Sequence, residues 1–158
     1  MTGILARYWV HAYDHPPKES LTEFSTPEQV RAFVTLLATD AHVSDAVLVH
    51  TGRPRWETKI PDDEHPGSFL TVPDHWAIVG VRGQRGAMCY TGDDGCGPEP
   101  VDLYSLGRGP DDEQLFETHR FPPDCELPIE DITEALVEFL ETAKRPLSIP
   151  WQKRRDAA

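Results

Sequence analysis

From residue 69 onward the chain repeats one device, a short apolar or β-branched run followed by Gly, Pro or Asp. The runs "FLTV", "HWAIVGV", "GAMCYT", "VDLYSL" and "LFETHRF" follow one another at hairpin-like intervals. That spacing reads as a meander of strands. Upstream, "ILARYWV" (4–10) reads as a first strand and "DAVLVHT" (45–51) as a buried one. Residues 52–68, "GRPRWETKIPDDEHPGS", hold three prolines and an acidic cluster, so a loop with at most a short edge strand is expected there.

Two helices flank this β-rich stretch. In "TPEQVRAFVTLLATD" (26–40), Thr26 can cap, Pro27 suits the first helical position, and Gln29 completes a Thr-x-x-Gln capping box. Val30, Phe33, Val34 and Leu37 then share one face. In "IEDITEALVEFLETAKRP" (129–146), Ile129, Ile132, Leu136, Phe139, Leu140 and Ala143 form the core face. Lys144 and Arg145 are expected to complement the dipole end, with Pro146 as the stop. "LSIPW" (147–151) reads as a returning strand. The pattern predicts an α+β fold: a mainly antiparallel sheet of about six to eight strands with both helices packed against it. One domain over residues 1–151 is expected, with 152–158 as a frayed tail. Trp9, Trp76 and Trp151 lie in strand-like runs and are read as core.

No apolar run approaches the roughly 18 residues of a membrane span, and the N-terminus has no basic segment leading a hydrophobic one. The cytoplasm is the expected compartment, and three cysteines suit its reducing conditions. "CYTGDDGCG" (89–97) resembles a site at first sight. Its adjacent acids break the alternation a calcium loop needs, and thiolate zinc would need two more spaced ligands. It reads as a turn centred between Gly92 and Asp93, which would set Cys89 across from Cys96. No nucleophile elbow, phosphate-cradling glycine loop or His-Glu-x-x-His pattern occurs, so no catalytic residue, metal ligand or cofactor is assigned. The seven histidines are scattered singly. A small enzyme whose histidine meets a distant carboxylate only in the fold stays open, as does a general adaptor domain.

Charge is more informative. The chain has 27 acidic against 15 basic residues, a formal net charge of −12. Such a field repels nucleic acid and anionic membrane and speeds encounters with basic partners, besides keeping a protein soluble. Glu130, Glu134, Glu138 and Glu141 form one stripe along the second helix without an interleaved base. A solvated face and a face held for a basic partner both fit it. Further acids gather in predicted loops at Asp62–Glu64, at Asp93 and Asp94, and at Asp111, Asp112 and Glu113. Trp56 borders such a loop as a possible anchor.

The order of parts in "VPDHWAIVGVRGQRGAMCYTG", "VDLYSLG" and "FPPDCELPIEDITEALVEFLETAKRPLSIPW" resembles the Imm1 family of bacterial immunity proteins. The likeness covers about residues 70–151, while residues 1–68 match in general layout. The resemblance implies a protein without chemistry of its own, a monomer or small homo-oligomer. It would bind the C-terminal domain of a cognate polymorphic toxin, often a deaminase, and block its active site or substrate groove. It names no contact residues; those above rest on charge and expected exposure.

Overall fold

The computed structural model describes residues 2–11, 16–43, 45–92, 101–116 and 119–153. Strand β1 (Ile4–Val10) pairs antiparallel with β2 (Lys18–Phe24), and helix α1 (Pro27–Thr39) follows. Next come β3 (Asp45–His50), β4 (Arg55–Pro61), β5 (Phe69–Pro73), β6 (His75–Arg82), β7 (Arg85–Gly92) and β8 (Val101–Ser105). Two short strands, β9 (Gln114–Phe116) and β10 (His119–Phe121), precede β11 (Leu127–Pro128), helix α2 (Ile129–Thr142) and β12 (Trp151–Lys153).

The main sheet has eight strands in the order β12-β8-β7-β6-β3-β1-β2, with β11 also on β7, and its pairings are antiparallel. The α+β expectation holds. β4–β5 and β9–β10 stand apart as two-stranded ribbons.

Alternation along the strands splits the side chains between two faces. Ile4, Ala6, Leu48, Val79, Met88 and Tyr90 point into the main core, where α1 brings Val30, Phe33, Val34 and Leu37. From α2 come Ile132, Ala135, Leu136, Val137 and Phe139. The capping box of α1 is formed: Gln29 N–H donates to Thr26 Oγ1, and Gln29 Oε1 accepts from Thr26 N–H, both at 3.3 Å. The opposite face carries a smaller core of Ala87, Cys89, Tyr104, Phe116, Phe121 and Cys125 under the β9–β10 ribbon. Phe116 reaches that core over Gly80, where a Cβ would lie 2.5 Å from the ring.

Several expectations are corrected. Helix α2 ends at Thr142, because Ala143 turns left-handed (φ 59°) and donates its N–H back to Phe139 O. Lys144 and Arg145 therefore lie beyond the helix, and Pro146 does not terminate it. Residues 89–92 are strand, and the pairing of β7 with β8 sets Cys89 opposite Tyr104, while the rest of the expected turn, with Cys96, lies outside the described residues. Trp9 and Trp76 are 42% and 43% exposed: their positions alternate onto the outer side of β1 and β6, beyond the reach of the small core. Trp151 packs partly buried against the main core, as expected. The expected returning strand lies at Trp151–Lys153 as β12, later than 147–151. Residues 52–68, expected as loop with at most a short edge strand, supply the seven-residue β4, which pairs with β5 alone. β2, with alternating charge and a lone leucine, is an additional edge strand.

Candidate interaction surface

The chain leaves the main sheet after β3 and returns at β6, and everything between is the β4–β5 ribbon. Arg53 stands just before this arm and Asp74 just after it. Their side chains meet in a two-pronged ion pair, Nε to Oδ1 and Nη2 to Oδ2, each 3.1 Å, with both side chains under a tenth exposed. Arg53 Nη1 also donates to the Tyr90 hydroxyl on β7 and to Ala143 O after α2. The arm's two legs are thus tied to each other, to the sheet and to the end of a helix.

The histidines beside this clamp have fixed roles. His75 Nδ1–H donates to Asp74 Oδ1 at 2.8 Å, while its Nε2 accepts the His50 amide at 2.8 Å. His50 Nδ1 accepts from Gly52 N–H, and its Nε2–H donates to Leu140 O at 2.9 Å. Both rings are engaged at both nitrogens. The His75 ring accordingly has no lone pair left to act as a base. Burial alone would raise the Asp74 carboxyl, but hydrogen bonds from Arg53 and His75 outweigh it and hold it below its ordinary value.

A second histidine meets a carboxylate on the outer face. His119 Nδ1–H donates to the buried Asp45 at 2.7 Å, beside a cavity of about 270 Å³ lined also by Arg7, Trp9 and Glu19. Among the described residues its lining holds no serine, cysteine, threonine or lysine to act as nucleophile. Cys125 is buried in the small core; that burial, with the Glu126 carboxylate nearby, pushes its thiol up to about 11, so it stays protonated at neutral pH. Among the described residues no three His, Cys, Asp or Glu side chains gather to hold a metal ion.

The arm exposes apolar side chains, among them Phe69 on the face of Thr71. Trp56 opposes Val72 across the ribbon, and Leu70 lies two residues along on the same face. All three are 40–49% exposed. The other face holds Arg55 against Thr71, joined by Nε to Oγ1 (3.0 Å) and Nη2 to the carbonyl (2.9 Å). At the tip, Asp62 accepts from Glu64 N–H and from His65 Nδ1, both at 3.0 Å, and closes the turn. A second apolar region lies on the uncovered half of the main sheet, where Leu5, Trp9, Leu21 and Trp76 are 37–62% exposed.

The expected contact residues do not form one patch. Glu130, Glu134 and Glu141 are exposed on α2, Glu141 near the arm's root and Glu130 near the far end of the sheet. Glu138 serves the chain's own backbone: its carboxylate accepts from the Leu147 and Ser148 amides and holds the segment leading into β12. Arg31 of α1 faces Glu130 and Glu134 across a groove of about 430 Å³ and offsets part of their repulsion. Asp111, Asp112 and Glu113 are exposed, with Glu113 3.5 Å from Arg120. Asp93 and Asp94 lie outside the described residues. Trp56 is exposed, on a strand of the arm. The clamp went unseen in the sequence, since Arg53 and Asp74 are 21 residues apart and belong to no motif.

One antiparallel sheet with two helices on one side and a clamped arm bearing exposed apolar side chains defines a small α+β protein. The chain belongs to the Imm1 family, whose model, described as immunity protein Imm1, matches residues 18–153. It is thus an immunity protein, and the partner that membership implies is a cognate toxin. A hypothetical protein from Neisseria gonorrhoeae, known from its crystal structure, has a similar fold: TM-score 0.50 and 9% identity over 95% of this chain and 94% of that one. No curated protein matches the chain. No helix among the described residues is long and apolar enough to cross a membrane.

Proposed function

We propose that this immunity protein neutralises a toxin domain acting on nucleic acid, a deaminase or nuclease, by setting an acidic surface against its basic substrate groove. The observation that carries the reading is the family match over residues 18–153, nearly the whole fold. Charge supplies the direction. A groove that holds nucleic acid is basic, and a protein of net charge −12 is drawn to it and, unlike nucleic acid, is not a substrate. Exposed acids available for the contact are Glu130, Glu134, Glu141, Asp111, Asp112 and Glu113, with Asp93 and Asp94 beside them in sequence-based expectation and Trp56 as an apolar anchor. Glu138 is removed from that set by its bonds to Leu147 and Ser148. The protein works in the cytoplasm, where such a toxin would meet its substrate, and no cofactor takes part.

The test is co-expression with the C-terminal domain of the protein encoded immediately upstream, reading host survival and co-elution on a sizing column. Rescue with a stable one-to-one complex is expected. A Glu134→Lys, Glu141→Lys double substitution should weaken rescue while leaving the melting temperature near wild type. Full rescue by that variant removes α2 from the contact; a harmless upstream domain that does not co-elute removes the toxin reading for that neighbour.

A further inference from the structure

We propose that the β4–β5 arm is the element by which this protein grips its toxin, with Trp56, Leu70 and Val72 packing on an apolar strip bordered by basic side chains. The inference rests on the function proposed above and names the surface that carries it out.

An isolated two-stranded ribbon is marginal in water, and this one joins no other strand. Its position is nevertheless fixed by a buried ion pair at its root, tied to Tyr90 and to the end of α2. The clamp serves the core through Tyr90, but none of the ribbon's own residues, 55–73, belongs to that core, so fixing the ribbon adds no apolar burial there. It does preorganise a binding surface, which reduces the ordering lost on association. The face so presented joins Trp56, Leu70 and Val72, whereas the opposite face ties its polar groups together through Arg55 and Thr71 and adds the exposed Phe69. Trp56, near the root of that face, is a residue type enriched among those that dominate interfaces.

Charge selects the occupant. The arm ends in Asp62, Asp63 and Glu64, so a partner covering the apolar face meets acids at its margin. A second copy of this chain would bring the same acids and a second charge of −12 against them. A basic toxin domain brings the opposite sign.

The experiment measures affinity for the upstream-encoded C-terminal domain by calorimetry, alongside melting temperatures. Three chains are compared: wild type, Trp56→Ser with Leu70→Ser, and Trp9→Ser with Leu21→Ser on the open sheet. The arm variant should bind about 30-fold or more weakly and melt near wild type, with the sheet variant within about threefold of wild type. In wild type, amide exchange across residues 55–73 should slow in the complex. Wild-type affinity in the arm variant, unchanged exchange, or a loss confined to the sheet variant overturns the arm. Self-association of wild type that the arm variant abolishes, without toxin binding, replaces the toxin with a second copy. Failure of wild type to bind at all falls on the proposed function itself.

Discussion

Asp74 sits under two opposed demands. Burial disfavours its charge, and the guanidinium of Arg53 with the ring of His75 favours it, with the favourable side prevailing. A carboxyl held below its unfolded value adds stability that is full at neutral pH. That stability is lost as pH falls below the unfolded value of about 4 and through the folded one. In acid titrations followed by denaturant melts, wild type should therefore lose stability more steeply below about pH 4 than Asp74→Asn. Equal slopes would mean the pair contributes nothing to folding. Asp74→Ala is harsher, since it strands the buried Arg53 charge, and should cost about 3–5 kcal/mol. The arm should loosen first, because its legs are what the pair joins. Tyr90 and the Ala143 carbonyl still hold Arg53 to the sheet and helix. Loss of protection from amide exchange in 55–73 ahead of β6 and β7 would show that order.

Elements differ in how far their own residues announce them. α1 was legible because its capping box and apolar spacing are local, and the structure forms both. β6 and β7 were legible as short apolar runs separated by the turn residues around Gly83. The end of α2 was not, because the left-handed turn falls on Ala143, a residue type without a signal for it. The arm was hidden by prolines that elsewhere mark loops, although Pro61 only closes a strand that pairs on one side. The exposed faces of Trp9 and Trp76 were misread for a different reason. Alternation fixes which side a residue takes, while what covers that side is set by the distant β9–β10 ribbon. That ribbon packs its Phe116 ring directly over Gly80, where a Cβ would not fit. Gly80→Ala should push the ring outward and destabilise the fold by about 1–3 kcal/mol, seen as a lower denaturation midpoint. A neutral result would mean the ribbon shifts freely over the sheet.

At the scale of the molecule, position decides what each acid can do. α1 and α2 cover one side of the sheet, while the arm springs from the end where α2 finishes. A toxin domain gripping the arm can reach Glu141 and the tip acids Asp62–Glu64, but Glu130 lies toward the other end, beside Gln84. Acids beyond about 8–10 Å of the contact are largely screened at physiological salt, so Glu130 and the Asp111–Glu113 loop act on approach more than on the finished complex. Affinity and speed should then separate. Raising salt should slow association, by about tenfold or more between low and high ionic strength, while dissociation changes little. Removing the Trp56 side chain should do the reverse, speeding dissociation and leaving the salt dependence of association intact. Stopped-flow association across a salt series, for wild type and Trp56→Ser, reads both at once. If salt leaves association unchanged, the acidic exterior serves solubility alone and immunity rests on the arm. If Trp56→Ser slows association and spares dissociation, the arm steers rather than grips, and the grip must be sought on the open sheet.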